Sequence, residues 1–390
     1  MKWPSALDYR EAVQNPLYAF KHPVLSASQA VKDHLGFPLV STGNYACVFK
    51  VKSGKDYWAV RCFSNPVTDQ KHRYDLLSQH LRKYSSSYLV GFEYLAEGIR
   101  VDGQWFPIVM MQWADGESLD SYLKTRVKEA AVMGATAAAW RGLVGSLRGA
   151  YMAHGDLQHG NVVVGNNGQM HLVDYDSMFI ANMAGEESPE VGHPNYQHPE
   201  RNKKDFNTGI DNFSALAIYI SLRALATEPG LWSFNTGENL ILSRKDYLAV
   251  TNGTQSAVFK RLEKNSDPEV RMLVSKLQEY CRCQSIDKVP ELEAVLLGVA
   301  QLPPMPLQPA VQPKSPDTAK TGPVFSAHPQ PPLKMKCPQC GKSNEPDEVY
   351  CQYCATVLDL HYKICSVCHK EIPVKSQYCT ECGAMQVNQS

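Results

Sequence analysis

The 390-residue chain has no surplus of either charge, because 39 basic and 39 acidic side chains cancel. Long phosphate backbones select for a basic face, so nucleic acid is not the expected partner. No apolar run approaches the roughly 18 to 20 residues a membrane span requires, and the opening MKWPSALDYREAV lacks the apolar core of a secretory signal. A soluble, cytoplasmic protein is the expectation. Cysteine is scarce before residue 337, where only Cys47, Cys62, Cys281 and Cys283 occur, all in apolar settings that read as core packing. The other eight of the twelve cysteines fall in the last 54 residues as four CxxC pairs, which points to metal in a reducing compartment rather than to a disulfide scaffold.

Length and composition allow one large domain plus something small. Residues 1–35 mix Trp, Tyr and Pro and are expected to pack as an extension on the neighbouring domain. β-Prone runs at 45–51, 56–63 and 105–111, set off by Ser-Gly-Lys and Asp-Gly turns, predict a small antiparallel sheet. Between the second and third runs Tyr74, Leu77, Leu81 and Tyr84 recur at helical spacing behind Thr68 or Asp69 as cap. From about residue 118 the pattern turns helical. Leu143, Val144, Leu147, Ala150 and Tyr151 form an apolar stripe that runs into a polar loop, two short strands at 162–164 and 171–173, and helices at 211–227, 255–283 and 291–300. The fold class is therefore α+β over residues 36–301. Residues 302–334 read as a proline-rich spacer, and 335–390 as a separate unit.

The most informative segment is HGDLQHGN, His154 to Asn161, which sets an Asp and an Asn five positions apart in a loop between a helix and a strand. Thirteen residues after Asn161, HLVDYDSM places Asp174 at the end of an apolar strand. Upstream, STGNYACVF carries small residues at Ser41, Gly43 and Ala46, which let a backbone turn approach phosphates, and YWAVRCF carries Arg61. IVMMQWADGESL, VGHPNYQHPE and DNFSALAIY complete seven blocks spread over about 180 residues.

In composition and order these blocks resemble bacterial proteins with a eukaryotic-type Ser/Thr protein-kinase fold: two lobes, a small antiparallel β lobe and a mainly α lobe. The resemblance implies ATP and magnesium. Asp156 takes the place of the base that accepts the proton of the attacking hydroxyl, and Asn161 and Asp174 the places of the magnesium ligands. Gly43, Val48, Ala59 and Arg61 fall at ATP-binding positions. So do Met111 and Trp113, whose backbones would bind adenine behind a gatekeeper Met110, and Glu117 beside the ribose.

Three departures stand out. Arg61 occupies the place of the phosphate-binding lysine, Gln158 that of a lysine that steadies the transferred phosphate, and Tyr175 and Asp176 those of the Phe and Gly of DFG. The lysine's glutamate partner is also missing from the intervening helix, which leaves Asp75 as the expected partner of Arg61. HGDLQHGN also resembles the loop of aminoglycoside and choline phosphotransferases, which share the fold. Three readings result: a Ser/Thr protein kinase acting on a protein substrate, a nucleotide-binding pseudokinase scaffold, and a small-molecule phosphotransferase.

Each CxxC recurs every fourteen residues, at Cys337, Cys340, Cys351, Cys354, Cys365, Cys368, Cys379 and Cys382. Lys342 and Lys370, Tyr350 and Tyr378, and the small pair Ala355 and Gly383 repeat at 28, so one unit holds two pairs. Four thiolates per unit make a closed tetrahedral site, and two structural zinc ions are expected. The ribbons lack a basic face, so their expected partner is a protein or the chain's own kinase-like domain.

Overall fold

The computed structural model describes residues 3–43, 46–66 and 69–298, together with strand residues 335–336, 343–344, 362–364 and 371–373. The chain divides into two units, Met1–Pro304 and Met305–Ser390.

The first unit begins with three short helices, α1 (Ala6–Val13), α2 (Pro16–Ala19) and α3 (Pro23–Ser26). Ser5 caps α1 in a reciprocal pair with Asp8, and proline opens each of the other two, where its missing N–H costs nothing. Next comes a six-stranded antiparallel sheet, built from β1 (Gln29–Ala30), β2 (Val40–Thr42), β3 (Ala46–Ser53), β4 (Asp56–Phe63), then helix α4 (Gln70–Lys83), β5 (Phe92–Val101) and β6 (Gln104–Gln112). Its order is β1-β3-β4-β6-β5, with β2 also on β3. Gln29 and Ala30 pair with Lys52 and Val51, so the end of the expected N-terminal extension joins the sheet.

Side chains alternate across the sheet. Cys47, Phe49, Val51, Val60, Cys62, Ile108 and Met110 form the outer face, and Tyr9, Val13, Phe20 and Leu25 of the N-terminal helices bury them as a separate core. The inner face carries Ala46, Phe63, Val109 and Met111, which join the large core of the helical region. β5 is absent from the sequence expectation. The Asp102-Gly103 turn that joins it to β6 has both residues at positive φ, as a two-residue hairpin requires, but a register shift between Leu95 and Ile99 breaks the alternation that would have revealed the strand.

Beyond β7 (Glu117–Ser118) the chain is mostly helical: α5 (Leu119–Arg126) and α6 (Ala130–Gly149), then the short strands β8 (Met152–Ala153), β9 (Val162–Val164), β10 (Met170–Leu172) and β11 (Phe179–Ile180), and then α7 (Asn212–Thr227), α8 (Arg244–Thr251), α9 (Ala257–Leu262), α10 (Pro268–Cys281) and α11 (Leu292–Leu296). α7 buries side chains on every face and is the central helix, and Trp140 of α6 donates its indole N–H to Ala215 at 3.0 Å. The helix expected over 255–283 is two helices, because Asp267 caps a new start and Pro268 cannot continue the old one. Tyr151, counted in the apolar stripe, is instead 61% exposed at φ 55°, where α6 has already ended.

In the second unit β12 (Met335–Lys336) pairs with β13 (Ser343–Asn344), and β14 (Tyr362–Ile364) with β15 (Glu371–Pro373). Lys336↔Ser343 and Ile364↔Glu371 are equivalent pairs displaced by 28 residues, so the backbone repeats at the period read from the sequence. Cys337 and Cys340 fall in sequence between the first two strands, and Cys365 and Cys368 between the second two. All eight expected zinc ligands, and the spacer at 302–334, lie outside the described residues.

Candidate functional site

The loop from His154 to Asn161 joins β8 to β9 and hangs from one buried carboxylate. Asp211, at the start of α7, accepts the amides of His154 and of Gly155, the latter at 2.9 Å. Burial pushes the Asp211 carboxyl above its ordinary value, opposed by these donors. Gly155 has φ 80°, and a Cβ there would run into the carbonyl of Ser177, so only glycine lets the two segments touch. On the other side His154 Nε2 meets Val173 O at 3.0 Å, and Val173 N–H donates to Asn161 O at 3.0 Å. The loop is thus tied to the strand end that presents Asp174.

Asp156 and Asn161 come together. One oxygen of Asp156 accepts from Asn161 Nδ2 at 2.9 Å and from Gln158 Nε2 at 2.8 Å, and the other accepts the His193 amide at 2.6 Å. Gln158, which stands where the kinase pattern has a lysine, therefore binds Asp156 instead of reaching outward. Gly192 has φ 82° and no room for a Cβ, which would stand 2.8 Å from Asp156 Oδ1. Asn161 Nδ2 donates both its hydrogen bonds to Asp156, and its Oδ1 makes none among the described residues.

Asp174 sits at φ 66°, a backbone region that non-glycine residues occupy chiefly under external constraint. That constraint is Arg61, whose Nη1 holds Asp174 Oδ2 at 2.9 Å while Nη2 holds Asp176 Oδ2 at 2.5 Å. Burial disfavours the guanidinium's charge, but the two carboxylates outweigh it and hold its pKa above the ordinary value. Arg61 Nε is buried without a partner among the described residues. Asp176 also accepts the Tyr74 hydroxyl from α4, and burial raises its carboxyl pKa against the pull of Arg61. Arg73, one residue earlier on α4, reaches the carbonyls of Asp176 and Met178 and the carboxylate of Glu186.

Asp75 is therefore not the partner of Arg61. It is half exposed and pairs with Lys71 one turn away on its own helix, so the acid that neutralises Arg61 comes from the 174–176 segment instead. A second correction concerns the bend after β6. Met110 belongs to the outer core, whereas Met111 shares the inner face with its neighbour across the strands, Ala59. The Trp113 amide goes to the Tyr57 carbonyl at 3.0 Å, extending the β4–β6 ladder, while Ala114 N–H makes no backbone hydrogen bond among the described residues. A reading taken from sequence alone is thus one residue out of step here.

Gly43 closes the tight β2–β3 connection by donating to Ala46 O at 2.9 Å, and Val48 lies directly across from Arg61. Glu117, on β7, accepts Arg126 at 3.4 Å. Sequence reasoning missed Asp176, Tyr74 and the His193 amide. Asp176 was visible as a second acid two positions after Asp174, but nothing in the sequence shows that it turns inward.

Next to this cluster a cavity of about 110 Å³ opens between α4 and the segment after β10, lined by Arg73, Tyr74, Leu77, Asp176, Met183 and Glu190. Among the described residues no group of three or more His, Cys, Asp or Glu stands close enough to hold a metal ion, and no helix is long and apolar enough to cross a membrane.

Residues 337–383 match the family model of the double zinc ribbon. The protein is thus a mixed α+β chain with antiparallel sheets and a C-terminal double zinc ribbon, a zinc-binding module. No curated protein matches the chain.

Proposed function

We propose that residues 36–301 form a two-lobed protein-kinase-like domain that transfers phosphate from ATP to Ser or Thr of a protein, with the zinc ribbons as a structural module for a protein partner. The observation that carries this reading is a chain of contacts: Arg61 to Asp174 at 2.9 Å, Val173, next to Asp174, to Asn161 at 3.0 Å, and Asn161 to Asp156 at 2.9 Å. Arg61, Asp174, Asn161 and Asp156 are the four positions the kinase resemblance assigns to phosphate, metal and base.

The residues fit the missing groups. The unpartnered Nε of Arg61 is a buried donor that an anion such as a phosphate oxygen satisfies. Asp174 and the Asn161 carbonyl oxygen are hard oxygen donors, and two protein ligands suffice for a magnesium ion that takes its others from phosphates and water. Magnesium there would neutralise charge on the transferring phosphoryl group. Asp156, fixed by three donors, accepts the proton of the acceptor hydroxyl. Met111 then backs the adenine site, and the Ala114 amide is the donor that the Trp113 amide is not.

A protein acceptor is favoured over a small molecule by the segment 188–201, which folds over the catalytic loop through the His193 amide and through Gln197. A second reading, nucleotide binding without efficient transfer, is favoured by the grip of Arg61 on Asp174, which competes with a metal for the same oxygen. The deciding experiment is magnesium-dependent transfer of labelled γ-phosphate to a generic protein acceptor, comparing the intact chain with Asp156→Ala. Transfer that vanishes in the variant supports the kinase reading. ATP binding without transfer in either supports the second reading.

A further inference from the structure

Arg61 has two anionic partners, and they are not equivalent. Asp174 is the more open, at 32% side-chain exposure against 19% for Asp176, and it occupies the position expected to ligate metal. Asp176 faces away from that role. One of its oxygens takes Arg61 Nη2 and the other takes the hydroxyl of Tyr74, which α4 holds by stacking on Tyr94 and by an edge contact with Phe92. The backbone carbonyl of Asp176 is bound in turn by Arg73, also on α4. Helix, loop and strand therefore meet at this one carboxylate.

We infer that Asp176 is the positioning residue for Arg61. It does for the guanidinium what the kinase pattern assigns to a glutamate on the intervening helix, and Tyr74 relays the helix's hold. The inference rests on the phosphoryl-transfer reading above and resolves the absence of that glutamate. With Asp174 given over to a metal, Arg61 would keep Asp176 and so stay aimed, leaving Nη1 and the Nε that has no partner among the described residues for phosphate oxygens. A glycine at 176 would leave the guanidinium without this anchor.

The test is magnesium-ATP affinity and steady-state transfer for the full chain and for Asp176→Asn, Tyr74→Phe and Asp75→Asn, with Arg61→Gln alone and combined with Asp176→Asn. Asp176→Asn is expected to weaken ATP binding about tenfold or more, seen as a rise in KM larger than the fall in kcat, because the contact acts on bound phosphate. Tyr74→Phe is expected to weaken it about two- to tenfold, and it alone decides the matter if Asp176→Asn does not fold. Asp75→Asn is expected to match the parent. In the Arg61→Gln background Asp176→Asn should add no further loss, whereas an additive loss shows that Asp176 acts independently and overturns the assignment. Unchanged affinity in both Asp176→Asn and Tyr74→Phe also overturns it while leaving the kinase reading intact. A parent chain that binds no nucleotide sinks that reading, and this one with it.

Discussion

The hydroxyl of Tyr175 engages the backbone of Val90 from both sides, accepting its amide at 2.8 Å and lying 3.2 Å from its carbonyl, across 85 residues of sequence. The same hydroxyl lies 3.1 Å from Leu172 O, and the ring packs edge-on against Phe92. A phenylalanine, which the kinase pattern has here, would fill the space and satisfy none of these groups.

Tyr175→Phe should therefore destabilise the chain by about 1–3 kcal/mol, since it leaves the buried Val90 N–H without an acceptor. Chemical unfolding of parent and variant measures the difference. A change below about 0.5 kcal/mol would mean that the amide finds another acceptor.

Gly155 and Gly168 share φ 80°, but only the first has a neighbour where a Cβ would go. Gly168→Ala should cost on the order of 1 kcal/mol from backbone strain alone. Gly155→Ala should cost clearly more and should also displace the Asp156 loop, so that the two variants side by side separate contact from strain. Equal losses would show that the Ser177 carbonyl moves aside freely.

Burial raises the Glu190 carboxyl above its ordinary 4.5, against the bond from Ser177 Oγ at 2.5 Å. A proton then binds the folded chain more tightly than the unfolded one. The stability this supplies is fully present below about 4.5 and is lost as pH rises through the folded-state value. The melting-temperature advantage of the parent over Glu190→Gln should accordingly shrink as pH rises above about 4.5. An advantage that grows with pH would mean that the partners of the charged form dominate over burial.

Eight cysteines in two four-thiolate sets predict two zinc ions per chain, measured by elemental analysis after gel filtration. Cys340→Ser should remove one ion and leave the other, because the 28-residue repeat assigns Cys340 to the first unit only. Loss of both ions would mean that the units fold as one.

Which parts could be read in the sequence depends on the range of the interactions involved. β3, β4 and α7 carry period-two or continuous apolar patterns and stand close to where those patterns put them. β5 escaped because a register shift interrupts its alternation, and the break between α9 and α10 rests on a single Asp-Pro step inside an otherwise helical run. In the site, Asp156, Asn161 and Asp174 were pointed to by the kinase resemblance, whose motifs fix their places along the chain. The partner of Arg61 was not, because spacing ranks acids by helix position and cannot show that Asp75 turns toward Lys71 while Asp176 turns inward. The step at Met110 and Met111 has the same cause: alternation is strict, but two adjacent methionines give no hint of which faces which core.

Strand β4 separates two environments. Arg61 points into the charged cluster, while its chain neighbour Cys62 faces Cys47 in the core closed by the N-terminal helices, where Tyr9 donates to Phe63 O at 2.8 Å. A single thickness of backbone thus stands between the N-terminal helices and Arg61. The N-terminal helices act as a splint on the far side of the strand that presents Arg61.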